Sequence, residues 1–241
     1  MAVDGLAIDR LETTLLVTID HGDENLFSVA MVTELSDRIR AAATEPDLRF
    51  VRLRSCGEVF CLGREGASPG APRPAARAVQ AVAGAIVGLN ELLQTTPLIV
   101  VAEVQGDAAG FGFGLVGNSD VAVAAEGARF AAPEILAGYA PTVVMGWLGP
   151  TVPRRRAFEM VATGAWVDGE TALRDGLITE VVPGDRLGGR VDERIAELSA
   201  LDATALRDVK TFLARTRTMD PASAAAASID SLALAIAGGH A

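Results

Sequence analysis

The segment PLIVVAEVQGDAAGFGFGLVGNSDVAVAAEGARFAAPE, residues 97–134, organises the reading of the whole chain. It opens on Leu98-Ile99-Val100-Val101-Ala102-Glu103-Val104, an apolar, largely β-branched run that reads as a buried strand. Gln105-Gly106 breaks the run, and Asp107 to Gly117 follows, dense in glycine and alanine. Val121-Ala122-Val123-Ala124 is a second apolar run, ahead of Phe130-Ala131-Ala132-Pro133-Glu134. Glycines at 110, 112 and 114 carry no Cβ, so main-chain N–H groups there can come close to another atom. A helix starting at this point leaves its first N–H groups as unpaired donors, able to stabilise negative charge on an oxygen.

Upstream, Leu6-Ala7-Ile8-Asp9-Arg10 and Leu15-Leu16-Val17-Thr18-Ile19 flank Glu12-Thr13-Thr14 and predict a hairpin. His21 to Asn25 is a polar loop. Val29 to Ala43 has helical spacing, with Val29, Val32, Leu35 and Ile39 on one face. Arg49-Phe50-Val51-Arg52-Leu53-Arg54 alternates as a half-exposed strand. The stretch 66–76, GASPGAPRPAA, reads as a mobile loop, poorly ordered without ligand, and Ala78 to Leu93 as an apolar helix. Downstream, Arg156 to Thr163 predicts a helix closed by Gly164, and Asp168 an N-cap. Gly176 to Pro183 is a turn and a strand. Ala-rich helices fill the rest, including Asp202 to Thr216 and Ala222 to Ile236.

Composition narrows the function. Half of the 241 residues are hydrophobic, ample for a core. A net charge of −10 argues against nucleic acid or an anionic membrane surface as the main partner. No uninterrupted apolar run reaches membrane length, and Asp4 and Asp9 exclude a signal-peptide reading of the N-terminus. Cys56 and Cys61 lie too close together to staple a domain, so a cytoplasmic location is expected. They read as inert apolar side chains, and with two histidines they make no convincing metal set.

Three segments, in order, resemble the crotonase superfamily, also called the enoyl-CoA hydratase/isomerase family. Phe60-Cys61-Leu62-Gly63-Arg64-Glu65 is similar to that family's first oxyanion motif. Val104-Gln105-Gly106 through Gly114, with Asp120 beyond, is similar to its second, and Phe130 to Ile135 to its catalytic-glutamate segment. The resemblance runs from about residue 6 to about residue 216. It implies an α/β fold, a spiral of ββα units over residues 1–183 with a C-terminal helical region over 184–241, the two forming one functional unit. It further implies a homotrimer or homohexamer, an acyl-CoA substrate that carries coenzyme A as part of its thioester, and no separately bound cofactor.

The site residues follow from the same alignment. The resemblance implies Glu134 as the base and the main-chain N–H groups of Arg64 and Phe111 as the oxyanion donors. It also implies that Leu62, Gly63, Gly110, Gly112 and Gly114 line the substrate. Losing one such donor typically costs about 10²–10³ in rate. Arg64 and Phe111 are bulkier than the small residues usual there, so the pocket's shape should differ. Family members that add water usually carry a second glutamate, and that position aligns with Gly114. One carboxylate suits double-bond isomerisation; the alternatives are hydration and a non-catalytic acyl-CoA-binding member. Glu103 is a further candidate acid, because a carboxylate in an apolar strand needs a partner or a raised pKa. Asp120 reads as a structural end-of-strand residue, Asn25 as a loop-fixing one, and Arg154-Arg155-Arg156 as a solvated helix start. Glu65 stands where the family usually has aspartate. The family's usual last segment, a terminal helix ending in a Phe-rich, basic stretch, is not found in this sequence. Gly112-x-Gly114-x-x-Gly117 also matches a dinucleotide fingerprint, but Pro133 beside Glu134 ends the strand that motif requires.

Overall fold

The computed structural model describes residues 3–66 and 75–237. The alternating N-terminal runs form β1 (Leu6–Leu11) and β2 (Thr14–Ile19), an antiparallel hairpin turned at Glu12. From β2 onward every neighbour in the main sheet is parallel: β3 (Phe50–Ser55), β4 (Ile99–Val104), β6 (Val121–Ala125) and β9 (Glu180–Val182) follow in that spatial order. Parallel strands need long crossovers, here supplied by α1 (Val29–Ala42), α2 (Ala76–Thr95) and α3 (Phe111–Gly117). A second small sheet sets β5 (Ala108–Ala109) beside β7 (Arg129–Ala131), with β8 (Val167–Asp168) antiparallel to β7. The remaining helices are α4 (Thr142–Thr151), α5 (Arg154–Thr163), α6 (Gly169–Arg174), α7 (Leu187–Ser199), α8 (Ala203–Thr216) and α9 (Pro221–Ala237).

The local signals act as their chemistry dictates. Ser28 caps α1 by accepting from the N–H of Met31, and Asp168 caps α6 by accepting from the N–H of Thr171. Gly164, in the left-handed region, closes α5. The α1 face differs from the one expected: Val29 is exposed, and Met31, Ser36 and Ala42 join Val32, Leu35 and Ile39 inside.

The larger correction concerns β3, which is not half-exposed. Its first four residues are all buried, Arg52 included. The alternation misleads because α7 covers the second face of the sheet, packing Leu187 and Val191 on Phe50, Val101 and Val123. Sheets buried on both faces read as continuous apolar runs. Arg52 is tolerated there because Glu103 lies 2.7 Å away and Asp192 of α7 lies 2.6 Å away.

Among the described residues, α2 alone is long and apolar enough to cross a membrane, with 20 residues and a mean hydropathy of 1.2. Its run is interrupted by Arg77, Gln80, Asn90 and Glu91, and its C-terminal half packs Leu89 and Leu93 into the core. It begins at Ala76, two residues before the expected start. Of the loop expected over 66–76, residues 67–74 lie outside the described residues.

Candidate active site

Two chain segments are laid side by side by main-chain bonds. Phe60 N–H donates to Asp107 O at 3.0 Å, and Ala109 N–H donates to Cys61 O at 2.9 Å. The approach needs glycine: a Cβ on Gly106 would lie 1.8 Å from Glu58 O, and one on Gly112 would lie 2.1 Å from Cys61 O. Asn25 fixes the turn ahead of this seam, donating to Cys56 O at 2.8 Å and Val59 O at 3.0 Å. Cys61 is buried in the seam, and burial pushes its thiol up to about 12, so it is inert.

The expected donors stand on either side of the seam. Phe27 pairs with Arg64 in a parallel bridge, so Gly63 O and the Glu65 N–H are both bonded to Phe27. The Arg64 N–H has no main-chain acceptor among the described residues. Phe111 is the first residue of α3, where a helix N–H has no intrahelical partner. Both residues line one cavity of about 390 Å³, together with Leu62, Gly63, Gly110, Gly114 and Glu134. Their bulk is accommodated at the sides. The Phe111 ring stacks on Phe27 with centroids 4.7 Å apart, and the Arg64 guanidinium donates to Glu65 O. Gly112 lies on the α3 backbone facing Cys61 and is not part of the cavity wall.

Glu134 enters the cavity from a 3-10 turn, Pro133–Ala137, that follows β7 and ends at left-handed Gly138. Its Oε1 lies 3.2 Å from where a Cβ on Gly110 would stand, and Gly110 itself has φ +51°. Both facts require glycine there. Its Oε2 is buried with no hydrogen-bond partner. Burial raises its pKa above the ordinary carboxylate value, against a smaller opposing pull from its own main-chain N–H. A desolvated carboxylate without a partner is a stronger base than a paired one.

The other candidates are placed elsewhere. Glu103 is ion-paired to Arg52 on the sheet face covered by α7, away from the cavity, which removes it as a second acid. Asp120 accepts from Val100 N–H at 2.7 Å and from buried Lys210 at 2.6 Å, a structural arrangement at the strand start. Arg156 is held by Asp175 and Glu159. Two residues not singled out in the sequence, Asn90 of α2 and Trp147 of α4, also face the cavity beside Gly114. Asn90 carried a signal, a polar residue in the buried stripe of an apolar helix; Trp147 carried none.

The family model for enoyl-CoA hydratase/isomerase matches residues 10–235. The chain belongs to the enoyl-CoA hydratase/isomerase family. The mitochondrial enoyl-CoA hydratase domain-containing protein 3 of Xenopus laevis is 34 % identical over 163 residues, 68 % of this chain. That match spans 55 % of the frog protein's length. The crystal structure of an enoyl-CoA hydratase from Mycobacterium smegmatis superposes with a TM-score of 0.91 at 28 % identity, over 96 % of this chain and 90 % of that one. A protein structure from Thermobifida fusca, in complex with CoA, superposes with a TM-score of 0.86 at 25 % identity, over 97 % of this chain and 93 % of that one. The crotonase fold and its C-terminal helical region are thus present.

Proposed function

We propose that this protein isomerises the double bond of an enoyl-CoA thioester, with Glu134 as its single base. The observation that carries the reading is the pairing of one half-buried carboxylate, whose buried Oε2 has no hydrogen-bond partner, with a glycine at 114, the position that aligns with the family's second glutamate. Glu134 takes a proton from C2 of a 3-enoyl thioester. The electron pair moves into the thioester carbonyl, and the oxygen becomes negative. The main-chain N–H groups of Arg64 and Phe111 stabilise that oxygen without rearranging. The carboxylic acid then returns the proton to C4, and the double bond ends between C2 and C3. No other atom is consumed, so one carboxyl group suffices. Adding water normally uses a second group to orient and deprotonate the nucleophile. The solved relative with CoA supports a CoA thioester as the carrier.

Assembly as a trimer or a dimer of trimers belongs to the same reading. Ile229, Leu232, Leu234 and Ile236 of α9 are exposed, an apolar surface suited to subunit contact. Light scattering should show such an assembly at micromolar concentration, and a stable monomer there would refute it. The reaction itself is tested by incubating the protein with a panel of enoyl-CoA thioesters and separating the products by mass and retention time. Isomerisation changes retention alone; a gain of the mass of water would replace this reading with hydration.

A further inference from the structure

The polar groups beside Gly114 have no part in the proton transfer assigned to Glu134. Trp147 is 3 % exposed, and its indole N–H is buried without a hydrogen-bond partner. The ring is fixed in place. A Cβ on Gly117 would lie 2.2 Å from it, and Phe113 packs edge-on with centroids 4.9 Å apart. Asn90 is 8 % exposed, and its side-chain amide makes no hydrogen bond among the described residues. From the Cβ position on Gly114, Asn90 Oδ1 lies at 3.7 Å, Trp147 Nε1 at 3.9 Å and Asn90 Nδ2 at 4.0 Å. Three polar atoms thus surround one open point in a wall otherwise formed by Val79, Val82, Ile86 and Val144. Buried polar groups are rarely left unpaired unless something binds to them.

We infer that Asn90 and Trp147 form a specificity subsite for a neutral oxygen, keto or hydroxyl, carried on the acyl chain of the thioester. The inference rests on the thioester reading above. The indole N–H only donates, whereas the amide donates and accepts. A keto oxygen accepts from both Nε1–H and Nδ2–H; a hydroxyl accepts from Nε1–H and donates to Oδ1. A carboxylate fits poorly. Among the described residues lining the cavity the only cation is Arg64, already bonded to Glu65 O, and Glu134 shares the space. Gly114 N–H bonds to Gly110 O, so the subsite lies one helical turn, about 5 Å, along α3 from the point that Glu134 approaches. The oxygen is therefore borne on a carbon other than the one deprotonated.

The test is equilibrium binding by calorimetry of saturated acyl-CoA thioesters, each deoxy chain paired with versions bearing a hydroxyl or keto group at successive carbons. A Glu134→Gln background prevents turnover. At least one oxygenated thioester should bind about tenfold more tightly than its deoxy partner. Trp147→Phe should remove that preference, read as the ratio of oxygenated to deoxy affinity in the same variant, and Asn90→Leu should reduce it in the same sense. Circular dichroism establishes that each variant is folded. Equal affinity across the panel, or a preference that survives both variants, overturns the subsite alone. Failure of every thioester to bind overturns the thioester reading and the subsite with it.

Discussion

Glu103 and Glu134 are both carboxylates set in apolar sequence, and the fold treats them in opposite ways. Glu103 projects from β4 onto the face covered by α7 and meets Arg52 at 2.7 Å, which is itself tied to Asp192 at 2.6 Å. Glu134 projects from a 3-10 turn into a cavity, where its Oε2 meets no donor. One charge is neutralised and locked; the other is desolvated and left basic. The contrast teaches that burial alone does not mark a working acid or base. What marks it is burial without a partner at an open space.

The largest expected effect separates the two residues by activity. Glu134→Gln keeps the side chain's shape and removes its basicity, so turnover should fall by about 10³-fold or more while acyl-CoA binding persists. Glu103→Gln should leave the rate within about threefold and lower the melting temperature instead. A Glu103→Gln enzyme that lost its activity with an unchanged melting temperature would break the comparison. Next in size is Arg52→Ala, which strands Glu103 in the sheet face and should reduce stability by about 3 kcal/mol in denaturant melts. Replacing both partners, as in Arg52→Met with Glu103→Leu, should recover most of that loss. If the double variant is no more stable than Arg52→Ala, the pair is not the source of the effect.

The smallest effect sharpens the comparison through pH. Burial raises the Glu134 pKa, so the folded state holds that proton more tightly than the unfolded chain does. The resulting stability is fully present below the ordinary carboxylate pKa and is lost as pH rises through the raised one. Glu134→Gln cannot lose it. The variant should therefore melt above the parent at neutral pH, with the difference closing as the pH falls below the ordinary carboxylate range. A difference independent of pH would show that the charge on Glu134 is not the cause.

Much of the architecture was legible locally. The hairpin of β1 and β2, the cap at Asp168 and the break at Gly164 rest on neighbours within a few residues, where sequence and geometry coincide. The burial of Arg52 was not legible, because its second partner, Asp192, lies 140 residues away on α7. Alternating Arg and apolar residues read the same whether the charged face meets water or a helix. Glu134, Arg64 and Phe111 became candidates through three motifs in order, since neither a Pro-Glu dipeptide nor a glycine cluster identifies a site alone. Asn90 stands out in sequence only as a polar residue in an apolar helix, and its meeting with Trp147 arises only through the packing of α2 and α4 around Gly114 and Gly117.

Proton exchange tests the assignment of Glu134 most directly. The parent protein and Glu134→Gln are each incubated with an enoyl-CoA in deuterium oxide, and the acyl carbons are followed by mass spectrometry. Deuterium should enter the acyl chain during turnover by the parent and stay absent with the Gln variant. Exchange by the Gln variant as fast as by the parent would contradict the account and leave Glu134 a structural residue.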